Sequence, residues 1–196
     1  MNLPNKLTIS RFILTAMFLA VIFSDIRYRE TIALVLFSLA SLTDYFDGKL
    51  ARERNLITNF GMLMDPLADK ILVCSAFIAF VGIHKMPAWM VVIIVARELA
   101  ITGLRLLAAS RNVVLAAEGY GKHKTISQIT AIIAILVLMS YQEWGPAGKL
   151  IFGFPLFGKP WVIWFTPLAV WLSVALTFTS GGLYLWRNRR LYLQDM

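Results

Sequence analysis

Hydrophobic residues along this chain neither alternate nor follow a narrow stripe. They fill six long runs, over residues 7–24, 31–50, 63–83, 88–107, 125–141 and 161–186. Each run is too long for a strand and lacks the period of two that a strand would show, so all six predict helices. Pro4, Pro87 and Pro160 stand just ahead of three of them, where proline begins a helix without losing an amide partner. A helix needs about 20 mostly apolar residues to cross the hydrocarbon core, and these runs approach that length. The first run is long for a signal segment, and Ser24-Asp25-Ile26-Arg27 is not a small-x-small cleavage site, so it is expected to stay on the chain. Residues 1–6 are expected as a short interfacial piece leading into it. The segment 141–160 holds four glycines and three prolines and predicts an irregular surface loop.

Composition narrows the class. Of 196 residues, 59% are hydrophobic and 15% charged, with a mean hydropathy of +0.71. A soluble domain carries about 25% charged residues. This chain has too little polar surface to cover a soluble globule, too much apolar content for disorder, and one cysteine, which excludes a disulfide scaffold. The expected fold is all-α: an integral membrane bundle of six transmembrane helices, one domain over 1–196, without internal repeats.

The net charge is +8. In a soluble protein that would raise nucleic acid. In a membrane protein, basic residues collect in cytoplasmic loops. With the N-terminus inside, the outer loops carry five basic residues (Arg27, Arg29, Lys85, Lys149 and Lys159), and the other fourteen fall on or near the cytoplasmic side. Both termini are therefore expected inside, in a multi-pass protein of the cell membrane, with anionic lipids or an anionic substrate as the second use of the charge and no nucleic-acid partner.

The chemistry concentrates in residues 43–70. Four of the six aspartates, Asp44, Asp47, Asp65 and Asp69, lie there, at the end of the second run and the start of the third. Spacings of three and four place each pair on one helix face. Four carboxylates at one depth raise one another's pKa, and burying each ion costs several kcal/mol, so protons or cations must stand among them. Carboxylate oxygens suit Mg²⁺, Mn²⁺ or Ca²⁺, and two such ions can clamp a diphosphate. Gly48, Ala51 and Gly61 share helical stripes with the aspartates and leave room beside them. Pro66 should bend or begin the third helix. No zinc-ligand spacing accompanies His84 or His123, and Gly121-Lys122 lacks the rest of a P-loop.

The stretch matches D-x2-D-G-x2-A-R-x8-G-x3-D-x3-D without a departure. On these residues the chain resembles the CDP-alcohol phosphatidyltransferase family. The resemblance implies a homodimer of six-helix protomers, two divalent ions (Mg²⁺ or Mn²⁺), and a cytidine pocket facing the cytoplasm. Carried over by position, Asp44, Asp47, Asp65 and Asp69 are the metal ligands, Asp69 is also the general base, and Asp44, Gly48, Ala51, Arg52 and Gly61 bind the CDP moiety. Residues 2–8, Arg97-Glu98, 103–105 and 121–125 resemble the branch of the family that uses glycerol phosphate. The implied reaction transfers a phosphatidyl group from CDP-diacylglycerol to sn-glycerol 3-phosphate, giving phosphatidylglycerol phosphate and CMP. Arg97, Arg105, Lys122 and Lys124, at the cytoplasmic ends of the fourth and fifth helices, are the expected contacts to the acceptor's phosphate. An inositol-phosphate acceptor or cardiolipin synthesis is the alternative within the family. A cation transporter is the rival outside it, disfavoured because repeats and midplane carboxylates are lacking.

Overall fold

The computed structural model describes the backbone of residues 3–54, 59–111 and 120–193. Six helices of twenty residues or more appear, one for each apolar run: α1 (Leu3–Ile22), α2 (Arg29–Arg54), α3 (Asn59–Gly82), α4 (Ala88–Ser110), α5 (Tyr120–Ser140) and α7 (Trp161–Arg187). Two short helices, α6 (Gly145–Phe152) and α8 (Arg189–Leu193), complete the helical set among the described residues. Two stretches of the described residues are long and apolar enough to cross a membrane, His123–Phe152 and Trp161–Arg187.

The long helices close into a ring. Going round it, α1 packs on α2, α2 on α5, α5 on α7, α7 on α4, α4 on α3, and α3 back on α1. The middle of the ring is apolar, with Phe18, Phe37, Phe77, Phe80, Ile94, Ile132 and Leu136 fully or almost fully buried. Dispersion between these close-packed side chains contributes to holding the helices together. At the end away from the aspartate motif, the ring opens into a cavity of about 430 Å³ lined by Ile22, Arg29, Glu30, Lys85 and Thr166, among others.

Local chemistry sets the helix ends. Pro87 and Pro160 precede α4 and α7 in extended conformations, as their missing amides allow. Between α1 and α2, Tyr28 adopts a positive φ of 61°, and the Arg29 guanidinium donates to the free carbonyl of Ser24 at 3.1 Å. Between α3 and α4, His84 takes φ 57° while the Lys85 amide donates to the carbonyl of Phe80 at 2.8 Å.

Three expectations are corrected. Residues 3–6 are not a separate piece: they are the first turn of α1. The third helix begins at Asn59 and continues past Pro66, so Pro66 does not begin it. The segment 141–160 is ordered. It contains a 3-10 turn (Tyr141–Trp144), α6, and a hairpin of β1 (Pro155–Leu156) and β2 (Lys159–Pro160). Its glycines and prolines signalled a loop, but its aromatic residues decide the outcome. Trp144, Phe152, Trp161 and Phe165 pack in series at centroid spacings of 5.5–5.9 Å, edge-on in the first and last contacts and stacked in the middle one. The indoles of Trp161 and Trp164 donate to the carbonyls of Ile151 and Leu156 at 2.9 and 3.1 Å. Trp144 donates to Thr31 on α2, and Thr31 donates in turn to Glu143.

Candidate active site

The motif sits where the sequence predicts, on the last turns of α2 and the first turns of α3. At a rise of about 1.5 Å per residue, Asp44 and Asp69 each stand about 15 Å from the helix ends that residues 55–58 join. Asp47 and Asp65 stand about 9–10 Å from the same ends. The side chains of Asp44, Asp47, Gly48, Ala51, Arg52, Gly61 and Asp65 lie outside the described residues, as does that of Lys122. Asp69 is described, and it is half-buried on α3. Among the described residues no group of three metal-ligating side chains occurs. The donor set that these two helix segments carry is four carboxylates, all hard oxygen ligands, and it fits a divalent ion of the Mg²⁺ or Mn²⁺ kind.

Next to Asp69 the structure gathers the second group of predicted residues. Glu98, on α4, is buried among helices. An isolated carboxylate there would cost several kcal/mol, so it must be paired. Two cations pair it. The Lys124 ammonium on α5 donates to Glu98 Oε1, and the Arg97 guanidinium lies 3.3 Å from the same oxygen. The side chains of Arg97, Glu98 and Lys124 are 15%, 7% and 6% exposed. Thr102, one turn on, donates to the carbonyl of Glu98 at 2.7 Å and accepts a hydrogen bond from Lys70 Nζ on α3. Lys70 is the neighbour of Asp69, and the charge of Asp69 acts on both Lys70 and Lys124. Three helices thus bring three cations around one carboxylate, beside the last aspartate of the motif. Such a cluster carries an excess of positive charge in an apolar bundle and is suited to an anion.

α7 forms the back of this cluster. Gly181 is buried, and a methyl group there would stand 2.6 Å from Arg97 Cγ, so only glycine lets the arginine pass between α4 and α7. Nearby, Gln128 donates to Thr177 at 3.1 Å and ties α5 to α7.

Of the predicted acceptor contacts, the structure brings Arg97 and Lys124 together and places Arg105 apart. Arg105 lies on the α4 face of Glu98 and Thr102, but it turns toward α7. Its guanidinium is over the Tyr184 ring at 5.8 Å, with Nε 3.5 Å from the phenol oxygen. Its charge still reaches Lys70. Sequence reasoning did not single out Thr102, Lys70 or Gly181, and took Glu98 as part of the matching Arg97-Glu98 pair without a role of its own. Glu98 carried a usable signal, an ionisable residue inside an apolar run. Arg11, inside the first apolar run, carries the same signal, and it is fully buried in α1. Nothing local distinguished Gly181 from Gly182.

The chain is a member of the CDP-alcohol phosphatidyltransferase family, whose model matches residues 1–179, and is by that membership a transferase. It is 39% identical over 199 residues to the CDP-diacylglycerol–glycerol-3-phosphate 3-phosphatidyltransferase of Bacillus subtilis (strain 168), with 95% of each chain covered. It is 33% identical over 183 residues to the protein of the same name from Rickettsia bellii, with 93% of each covered. A third protein of that name, from Cereibacter sphaeroides, is 31% identical over 219 residues, covering 99% of this chain and 98% of its own.

Proposed function

We propose that this chain transfers the phosphatidyl group of CDP-diacylglycerol to sn-glycerol 3-phosphate, releasing CMP and forming phosphatidylglycerol phosphate. Family membership and the names of the relatives support the reaction. The observation that carries the acceptor is the pairing of Arg97 and Lys124 on Glu98, beside Lys70 and Asp69. Inositol, serine or choline would give such a cationic cluster nothing to bind. A phosphorylated alcohol supplies the missing negative charge.

In this reading the six long helices each cross the membrane, with both termini and the aspartates on the cytoplasmic side. The loop-charge bias supports that orientation. The acyl chains of the donor stay in the bilayer. Gly48, Ala51 and Gly61 leave space for the CDP moiety, with Arg52 and Asp44 as its polar contacts. Asp44, Asp47, Asp65 and Asp69 would hold the divalent ions. Those ions supply charge neutralisation for the diphosphate and for the departing CMP oxygen. Arg97 and Lys124, with Arg105 and Lys122 further out, orient the acceptor by its phosphate. Asp69 takes the proton of the acceptor's primary hydroxyl as that oxygen bonds to the phosphorus bearing diacylglycerol. The bond from this phosphorus to the CMP oxygen breaks in the same displacement. The motif contains no Ser, His or Cys that would serve as a nucleophile, which supports direct transfer. A homodimer is the working form that the family resemblance implies.

The test is purified protein with CDP-diacylglycerol, Mg²⁺ or Mn²⁺, and a panel of acceptors, following CMP release. Release that depends on sn-glycerol 3-phosphate is the expected result. Release with inositol phosphate or phosphatidylglycerol instead would refute the acceptor assignment.

A further inference from the structure

The proposed reaction gives Asp69, Arg97 and Lys124 tasks but leaves Glu98 without one. Glu98 is a carboxylate set among cations that are to receive a phosphate, and taken by itself it repels that phosphate. Yet it is almost fully buried, and at its Oε1 α4 and α5 share charge: Lys124 donates to it and Arg97 lies 3.3 Å away. Its backbone carbonyl is held as well, by Thr102, which Lys70 of α3 engages from the other side. Without Glu98, two cations from different helices would face each other in an apolar bundle. They would move apart, or one would lose its proton.

We infer that Glu98 is the positioning residue of the acceptor site. Its Oε1 ties the Arg97 guanidinium and the Lys124 ammonium into one preset cradle. With two cations on one carboxylate, the cradle keeps a single net positive charge for the acceptor's phosphate to match. The inference rests on the reading of Arg97 and Lys124 as phosphate contacts.

Simple charge counting and positioning predict opposite signs, which makes the idea testable. Glu98→Gln removes a negative charge, so counting alone predicts a lower KM for an anionic acceptor. Loss of the cradle predicts a higher one. In the purified full chain, the KM for sn-glycerol 3-phosphate should rise about ten- to a hundredfold, the range for one charge-assisted hydrogen bond, with KM for CDP-diacylglycerol within about twofold of wild type. Because Glu98 acts through Lys124, the double variant E98Q/K124M should be no worse for the acceptor than the worse single variant. An unchanged or lowered KM for the acceptor in E98Q would overturn the inference, as would equal losses toward both substrates. Should E98Q not be recovered folded, Glu98→Asp keeps the charge and withdraws the oxygen by one methylene. It should still raise the acceptor's KM while sparing the donor's, and an unchanged value there would also overturn the idea. K124M alone separates the two levels. If it leaves the acceptor's KM unchanged, the phosphate-site reading fails and the inference with it. If K124M raises that KM and neither Glu98 variant does, the positioning role alone fails.

Discussion

Gly181→Ala adds one methyl group at the point where α7 lets Arg97 through. The new carbon would stand 2.6 Å from Arg97 Cγ and 3.6 Å from Arg97 Cβ. Non-bonded carbons prefer about 3.5–4.0 Å, so the closer approach is roughly 1 Å too short. The contact is near the base of the arginine, so the tip cannot absorb it by a small swing. Either Arg97 leaves its rotamer or α7 moves off α4, and such overpacking costs about 1–3 kcal/mol. Alanine in a helix returns about 1 kcal/mol relative to glycine, leaving a net loss of about 0–2 kcal/mol. The larger effect should be functional. If Arg97 no longer meets the acceptor's phosphate, a charge-assisted bond of about 1.5–3 kcal/mol is lost, a rise of about ten- to a hundredfold in the KM for sn-glycerol 3-phosphate. Gly182 supplies the control, because a methyl group there meets nothing within 4 Å. Gly182→Ala should keep both KM values and gain about 0.5–1 kcal/mol in stability. The assay is CMP release titrated against each substrate, with thermal unfolding of both variants alongside. The reasoning fails if the two variants share one KM for the acceptor, or if Gly181→Ala weakens donor and acceptor alike.

Three further predictions concern other parts of the molecule. Asp44→Asn and Asp65→Asn should each abolish CMP release, and chelation should do so reversibly in the wild type; undiminished turnover in excess EDTA would refute the divalent-ion reading. Asp69→Asn should lower turnover by about 10²–10⁴-fold, the usual contribution of a general base, while retaining CDP-diacylglycerol binding in a direct binding assay, and near-normal turnover would assign the base elsewhere. At the far end of the bundle, burial pushes the Glu30 carboxyl up, but the hydrogen bond from Arg29, backbone and Glu143 hydrogen bonds and the charge of Arg29 bring it below the ordinary carboxylate value. A depressed carboxylate stabilises the fold above its unfolded pKa, and this stability is lost as pH falls through the folded value. Glu30→Gln should therefore lower the melting temperature at neutral pH, with the gap to wild type closing below about pH 4; a gap that persists in strong acid would contradict it.

Local properties of the chain were enough to define its helices and its motif. A long apolar run without a period of two closes its backbone hydrogen bonds within its own segment, and each of the six runs forms a helix. The aspartates were legible because their meaning lies in spacing along two consecutive helices joined by a short link, which helical geometry converts directly into shared faces. What the tertiary structure decided are pairings between distant segments. Lys124 and Glu98 are far apart in sequence, and only the ring order, with α3, α4 and α5 meeting at one end, makes them share a proton-donor contact. The same order sends Arg105 to Tyr184, on α7, although its spacing from Glu98 put it on the same α4 face. It also makes Gly181 indispensable for the passage of Arg97, while a methyl group at Gly182 would meet nothing within 4 Å. The segment 141–160 shows the same division in reverse. Its glycines and prolines are local turn signals, but the packing of Trp144, Phe152, Trp161 and Phe165 draws on residues either side of a hairpin, and that cooperation orders it. Helix formation is a property of one segment and can be read from it, whereas the partner of a buried charge depends on which helices lie side by side, and hydropathy carries no record of that choice.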